Sequence, residues 1–221
     1  MSFVVQRFDP RIRPGLNLGS VSSKRAVHSQ QSHWDSTCAL HCLAMALQIC
    51  GLIADTSRVA TYRRRLEAAF WKRAVHYFFT GVTFRELATL IAELECGLRT
   101  KVAENGSHRE VIAFIERELA RKRLVICSWR AVGESHSHAV LAIGVEGTQR
   151  TRHIDAHTLL VIDPAEGPPA TMTLCNARLR YAGREPGKWP RYAKYATASA
   201  TYAVVLNGAI SIASSTPRKS P

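Results

Sequence analysis

Residues Asp35-Ser36-Thr37-Cys38-Ala39-Leu40-His41-Cys42-Leu43-Ala44-Met45-Ala46-Leu47 constrain this chain more than any other stretch, because they set a cysteine at the mouth of an apolar helix. That helix is expected over about 36–50, with Asp35 as its N-cap and Gly51 as its stop. A second helix is expected near 56–73, carrying Arg63-Arg64-Arg65 and the aromatic pair Phe70-Trp71. Thr83-Phe84-Arg85-Glu86 and Ser107-His108-Arg109-Glu110 are capping-box patterns, in which a hydroxyl and a glutamate three residues later satisfy the free N–H groups of a helix start. They begin a third helix, stopping at Gly97, and a fourth with an apolar face of Val111, Ile112, Ile115 and Leu119. Strands follow at 124–129, 138–145, 158–163, 170–174 and 201–206, rich in β-branched residues and divided by Gly, Pro or polar turns. Helices first and an antiparallel sheet after them is an α+β arrangement. Residues 1–29, with Pro10, Pro14, Gly15 and Gly19, read as an irregular arm, 30–210 as the one domain, and 211–221 as a polar tail.

The chemistry-bearing residues sit at element boundaries. Cys38 starts the apolar helix, His138 opens the strand Ala139-Val140-Leu141-Ala142-Ile143, and Asp163 closes the strand before Pro164. A thiol is only slightly ionised at neutral pH, and a helix N-terminus with a neighbouring imidazolium lowers its pKa by several units. An acid then fixes the tautomer and orientation of the imidazole. Each residue also has an ordinary reading: Cys38 as packing, His138 as a polar strand edge, Asp163-Pro164 as a strand terminator. His136 rivals His138 as the base, and Asp155 and Glu166 are substitutes for the acid. For Trp129, both a core position and a wall of the cleft stand open.

Residues 30–47 and 124–164 resemble the bacteriocin-processing peptidases that remove double-glycine leaders, together with their free-standing relatives. That family has a Gln shortly before a Cys-Gly pair, a small and apolar helix with a Met, a His opening an apolar strand, and an Asp-Pro pair. The resemblance implies a papain-like fold: an N-terminal helical part whose nucleophile helix packs on a C-terminal antiparallel sheet. It implies Cys38 as nucleophile, His138 as general base, Asp163 as orienting acid and Gln31 as oxyanion donor, with Gln30 as the alternative donor. The chain departs from the pattern in Ala39, where the family has Gly, and in Gln31, which lies seven residues before the cysteine and not six. Residues Gln30-Gln31-Ser32-His33-Trp34-Asp35 also resemble a related guanylyl-cyclase-domain family, which has Trp-Asp before its Cys-Gly. The activity implied is hydrolysis of a peptide bond through a thioester, in a maturation protease, toxin or effector. Deamidation and transglutamination use the same triad, and a catalytically inactive basic binding or adaptor protein is the reading from another class.

The 221 residues carry a formal charge of +13. The basic residues are dispersed, in Lys72-Arg73, Arg121-Lys122-Arg123, Arg178-Arg180 and Arg191-Lys194 among others. A solvated face is one account of them. An acidic partner, whether nucleic acid, anionic lipid or an acidic protein surface, is the other. No apolar run approaches the roughly 18–20 residues of a membrane span, and the N-terminus lacks the apolar region of a secretory signal. A cytoplasmic protein, or one delivered by a specialised secretion system, is expected. The six cysteines are scattered, and without an export signal they read as reduced. Neither cofactor nor metal is expected.

Overall fold

Along two central strands, successive side chains alternate between two buried faces. Leu124, Ile126, Ala139, Leu141 and Ile143 enter one apolar cluster, whereas Val125, Cys127, Trp129, Val140 and Ala142 enter another. A strand with a side-chain period of two and both faces apolar needs cover on both sides. The computed structural model, which describes residues 3–32, 35–63, 65–150, 153–182 and 190–214, shows how that cover is supplied.

The strands are β1 (Phe3–Phe8), β2 (Ile12–Arg13), β3 (Gly19–Ser20), β4 (Leu98–Glu104), β5 (Leu124–Ala131), β6 (Ser137–Arg150), β7 (His153–Ile162), β8 (Ala177–Arg180), β9 (Ala193–Ala196) and β10 (Thr201–Ser214). The helices are α1 (Cys38–Ile49), α2 (Arg65–Ala74), α3 (Phe84–Glu93) and α4 (His108–Ala120). Strands β6, β5, β10, β9, β8 and β7 pair antiparallel in that order, and β7 pairs back onto β6, so six strands close into a barrel. Closure leaves no open edge in the ring. The second cluster draws residues from all six of these strands and is therefore the barrel interior, with Val111, Ile112 and Ile115 of α4 packed into it. The first lies outside the barrel wall, where α1 and α3 cover β5, β6 and β10.

The two 14-residue strands change partners midway. Residues 137–142 of β6 pair with β5, and residues 144–149 pair with β1. Residues 201–204 of β10 pair with β9, and residues 208–214 pair with β4. Asn207 is the extra residue of a bulge between Leu206 and Gly208, where a strand bends and re-aims a side chain.

This architecture corrects the expected papain-like α+β fold. The chain is mostly β, a closed six-stranded barrel with four short helices, and not a helical N-terminal part laid on a C-terminal sheet. The arm expected to be irregular contributes β1, whose backbone is held by β6 although most of its side chains face solvent. The expected second helix breaks into a 3-10 turn at Thr56–Arg58 and α2. The strand expected at 170–174 is a turn: Thr173 N–H bonds the Ala170 carbonyl at 2.9 Å, and Met172 has φ +65°. Ser211 to Ser214, assigned to the tail, complete β10, while 215–221 lie outside the described residues. Both capping boxes form, at Thr83/Glu86 and Ser107/Glu110. No helix among the described residues is long and apolar enough to cross a membrane.

Candidate active site

Antiparallel pairing brings the expected triad to one end of the barrel. Because Trp129 pairs with His138 and Leu141 pairs with Ile162, the end of β5, the start of β6 and the end of β7 lie together. His138 and Asp163, 25 residues apart, meet there: His138 Nε2 and Asp163 Oδ1 are 2.6 Å apart. Helix α1 packs on β6 and β5, which sets its first residue, Cys38, at the same place. The Ala139 N–H donates to Cys38 Sγ at 3.4 Å, which sets the thiol beside His138, both of them lining one cleft. With Nε2 taken by Asp163, Nδ1 is the ring nitrogen left to face the thiol.

Asp163 is almost wholly buried, at 3 % exposed, and every oxygen is used. Oδ1 also accepts the Ala165 N–H at 2.8 Å, and Oδ2 accepts the hydroxyl of Tyr195. Asn176 clamps the backbone, accepting from the Asp163 N–H at 2.7 Å and donating to its carbonyl at 2.9 Å. Burial alone pushes the Asp163 carboxyl up. The hydrogen bonds and charge of His138, with the donors Tyr195 and Ala165, overcome it and leave the pKa below the ordinary carboxylate value. Burial likewise disfavours the His138 imidazolium, but hydrogen bonds to Asp163 and Cys38 and attraction to their charges raise its pKa to about 9. Against Asp163, burial and the adjacent negative charge hold the Tyr195 phenol protonated, so it stays a donor.

Of the two roles left open for it, Trp129 takes the core one, and it is not among the described residues that line the Cys38 cleft. It is buried in the barrel interior, its ring meets His138 edge-on at 5.3 Å, and it lies tilted against the Tyr195 ring at 4.5 Å. Water is thereby kept from the back of the His138–Asp163 pair, where a lower local dielectric strengthens it.

Cys38 opens into a cleft of about 810 Å³ that Gln31, His136, His138 and Asn207 also line. Gln30 faces a different cavity, beside His28, Ser29 and His41. Gln31 is anchored through its backbone N–H to the Pro164 carbonyl at 2.7 Å and through Nε2 to the Asp35 carbonyl at 2.8 Å. His33 and Trp34, part of the approach segment, lie outside the described residues, as does Arg64. Asp35 is not itself the N-cap. That position is Thr37, and the Asp35 carboxylate accepts the Thr37 N–H and hydroxyl from two residues upstream. The rival residues separate: exposed His136 lines the cleft away from the acid, Asp155 lines a cavity between β1 and α4, and Asp163, not Glu166, takes the His138 ring.

Sequence reasoning missed Tyr195, Asn176 and His28, whose Nε2 lies 3.2 Å from the Asp163 carbonyl. Tyr195 stands in a short strand 32 residues past the acid and carries no local cue. A minority of the basic residues have an internal partner among the described residues. Arg121 and Arg123 hold the fully buried Glu118, Arg73 pairs with Glu93, and Arg178 with Glu146. Compared with known proteins, the chain matches no family model, and no curated protein is significantly similar to it.

Proposed function

We propose that the chain is a cysteine peptidase in which Cys38 attacks a peptide carbonyl, His138 moves the proton and Asp163 holds the imidazole. The observation that carries this reading is a single imidazole bonded to a buried, fully satisfied carboxylate, with a helix-start thiol held beside it by the N–H of the next residue, Ala139. With its pKa raised to about 9, His138 is a base strong enough to take up the proton of the thiol. The thiolate attacks the carbonyl carbon, and the negative charge moves to the carbonyl oxygen. The Cys38 N–H, at the first turn of α1 where a helix offers no acceptor of its own, is a donor for that charge. The Gln31 carboxamide has two N–H bonds; one is spent on Asp35, and the other serves the oxyanion. The imidazolium proton passes to the leaving amine, giving a thioester. His138 then takes a proton from water, whose oxygen displaces the thiolate and frees the acid.

The test is mass analysis of a mixed peptide pool after incubation with the chain and with its Cys38→Ala variant. New peptide termini made only by the unaltered chain are expected. A gain of about one dalton at Gln without cutting would make the enzyme a deamidase using the same thioester. Cutting that survives Cys38→Ala would overturn the mechanism.

A further inference from the structure

The chain carries 30 Lys and Arg against 17 Asp and Glu, yet no described residue lining the Cys38 cleft is Lys or Arg. Three of them are acidic: Asp35, Glu86 and Glu104. We infer that the cleft selects peptides bearing a Lys or Arg close to the reacting bond, held by Glu86 and Glu104. The inference deepens the peptidase reading and rests on this cleft being where that substrate lies.

Two elements deliver these carboxylates to one place. Glu86 is the third residue of α3 and closes its capping box, its Oε2 accepting the Thr83 N–H at 2.8 Å and hydroxyl at 2.7 Å. Glu104 ends β4, and its Oε1 accepts the Phe84 N–H at 3.1 Å. The positive end of α3 is thus already met by both side chains, and each carboxylate keeps an oxygen outside these bonds to the helix start. The cations facing the group are few. Arg85 lies 3.4 Å from Glu104 Oε2 but is 80 % exposed, and an ion pair so open to water contributes little. His138 is bound to Asp163, and His136 is the remaining basic group of the lining.

Magnitude decides whether the overall positive charge would repel such a substrate. At physiological ionic strength the Debye length is about 8 Å, so dispersed surface charges are largely screened. A guanidinium inside the cleft lies within a few ångströms of the exposed Glu86 and the half-buried Glu104, inside the Debye length, so their attraction is screened far less than the repulsion from distant charges. The near charges win, and the cleft draws in what the surface as a whole does not.

Binding can be read without turnover, which keeps this inference separate from the peptidase reading. Full-length Cys38→Ala chain is titrated by NMR with three unlabelled peptides, Ala-Gly repeats carrying one central Arg, Gln or Glu. The Arg peptide should bind about twofold more tightly than the Gln peptide, as expected of one largely exposed ion pair. The Glu peptide should bind weakest, and the resonances of Glu86 and Glu104 should shift on binding. Converting both acids, Glu86→Gln with Glu104→Gln, preserves their acceptor oxygens for Thr83 and Phe84, so the fold is kept; the preference for Arg should vanish. Raising salt should shrink it as well. Equal affinities for the three peptides, none measurable included, would overturn the inference, as would an Arg preference that survives the double substitution. A chain that prefers Arg but fails to modify Cys38-dependent substrates would leave the binding inference standing and refute the catalytic reading.

Discussion

Replacing Asp163 with asparagine removes one charge and little volume. The amide oxygen can still accept from Ala165 or Tyr195, so the main loss is the attraction that sustains the His138 imidazolium. In the native chain the His138 pKa stands at about 9 against an ordinary 6.5. A folded value above the unfolded one means the imidazolium stabilises the fold fully below pH 6.5, and this contribution is lost as pH rises through 9. The difference amounts to about 3 kcal/mol. In the Asp163→Asn chain burial is no longer opposed by the carboxylate, so the His138 midpoint should fall toward 6.5. The check is twofold: an NMR titration of the His138 ring, and urea unfolding at pH 6 and at pH 9.5. The unaltered chain should lose about 3 kcal/mol more than the variant between those two conditions. A midpoint near 9 in the variant, or equal losses in both chains, would refute the account of how the pair is held.

The remaining predictions concern the support around the triad. Tyr195→Phe strips the donor from Asp163 Oδ2 and should cost about 1–3 kcal/mol by thermal or urea unfolding. Because the folded Asp163 pKa is depressed, its contribution is present above the ordinary carboxylate value and lost as pH falls through the folded one; the variant should lose it at a higher pH. Gly208→Ala places a Cβ 3.0 Å from two ring carbons of Phe84, whose own burial leaves it little room to move. A loss of about 1–3 kcal/mol is expected, measured by urea unfolding, and an unchanged stability would show the cleft floor to be pliant.

What the sequence could disclose was local. The capping hydroxyls of Thr83 and Ser107 and their glutamates lie within one turn, so α3 and α4 were legible at their starts. Gly51, with φ +77°, takes the left-handed conformation that lets the chain leave α1, as expected; α3 instead ends at Glu93 and leaves through Glu95, with φ +48°, before the expected stop at Gly97. The apolar run after His138 marked β6 but not its length, because Gly144 and Gly147, which interrupt the pattern, are positions where neighbouring backbone comes within 2.4 Å of an added Cβ. Barrel closure was not legible: it depends on β7 pairing with both β6 and β8, and β8 and β9 are four-residue strands without a run long enough to register. Phe3–Phe8 has only six residues, with exposed apolar side chains, and gains its place from backbone bonds to residues 144–149, far along the chain. At the site, residue types that mark chemistry, Cys38, His138 and Asp163, were readable from their positions at element ends. Tyr195 and Asn176 were not, since a strand tyrosine and a loop asparagine look the same whether or not a carboxylate lies beside them.

The central claim is that His138 activates Cys38, and the most direct measurement is the rate and site of labelling by a biotinylated iodoacetamide at pH 6. An ordinary thiol with a pKa near 8.5 is less than about one per cent thiolate there. The account predicts rapid, stoichiometric modification of Cys38 alone among the six cysteines, lost in His138→Ala and slowed in Asp163→Asn. Slow and equal labelling of several cysteines, or rapid labelling of Cys38 that persists without His138, would contradict it.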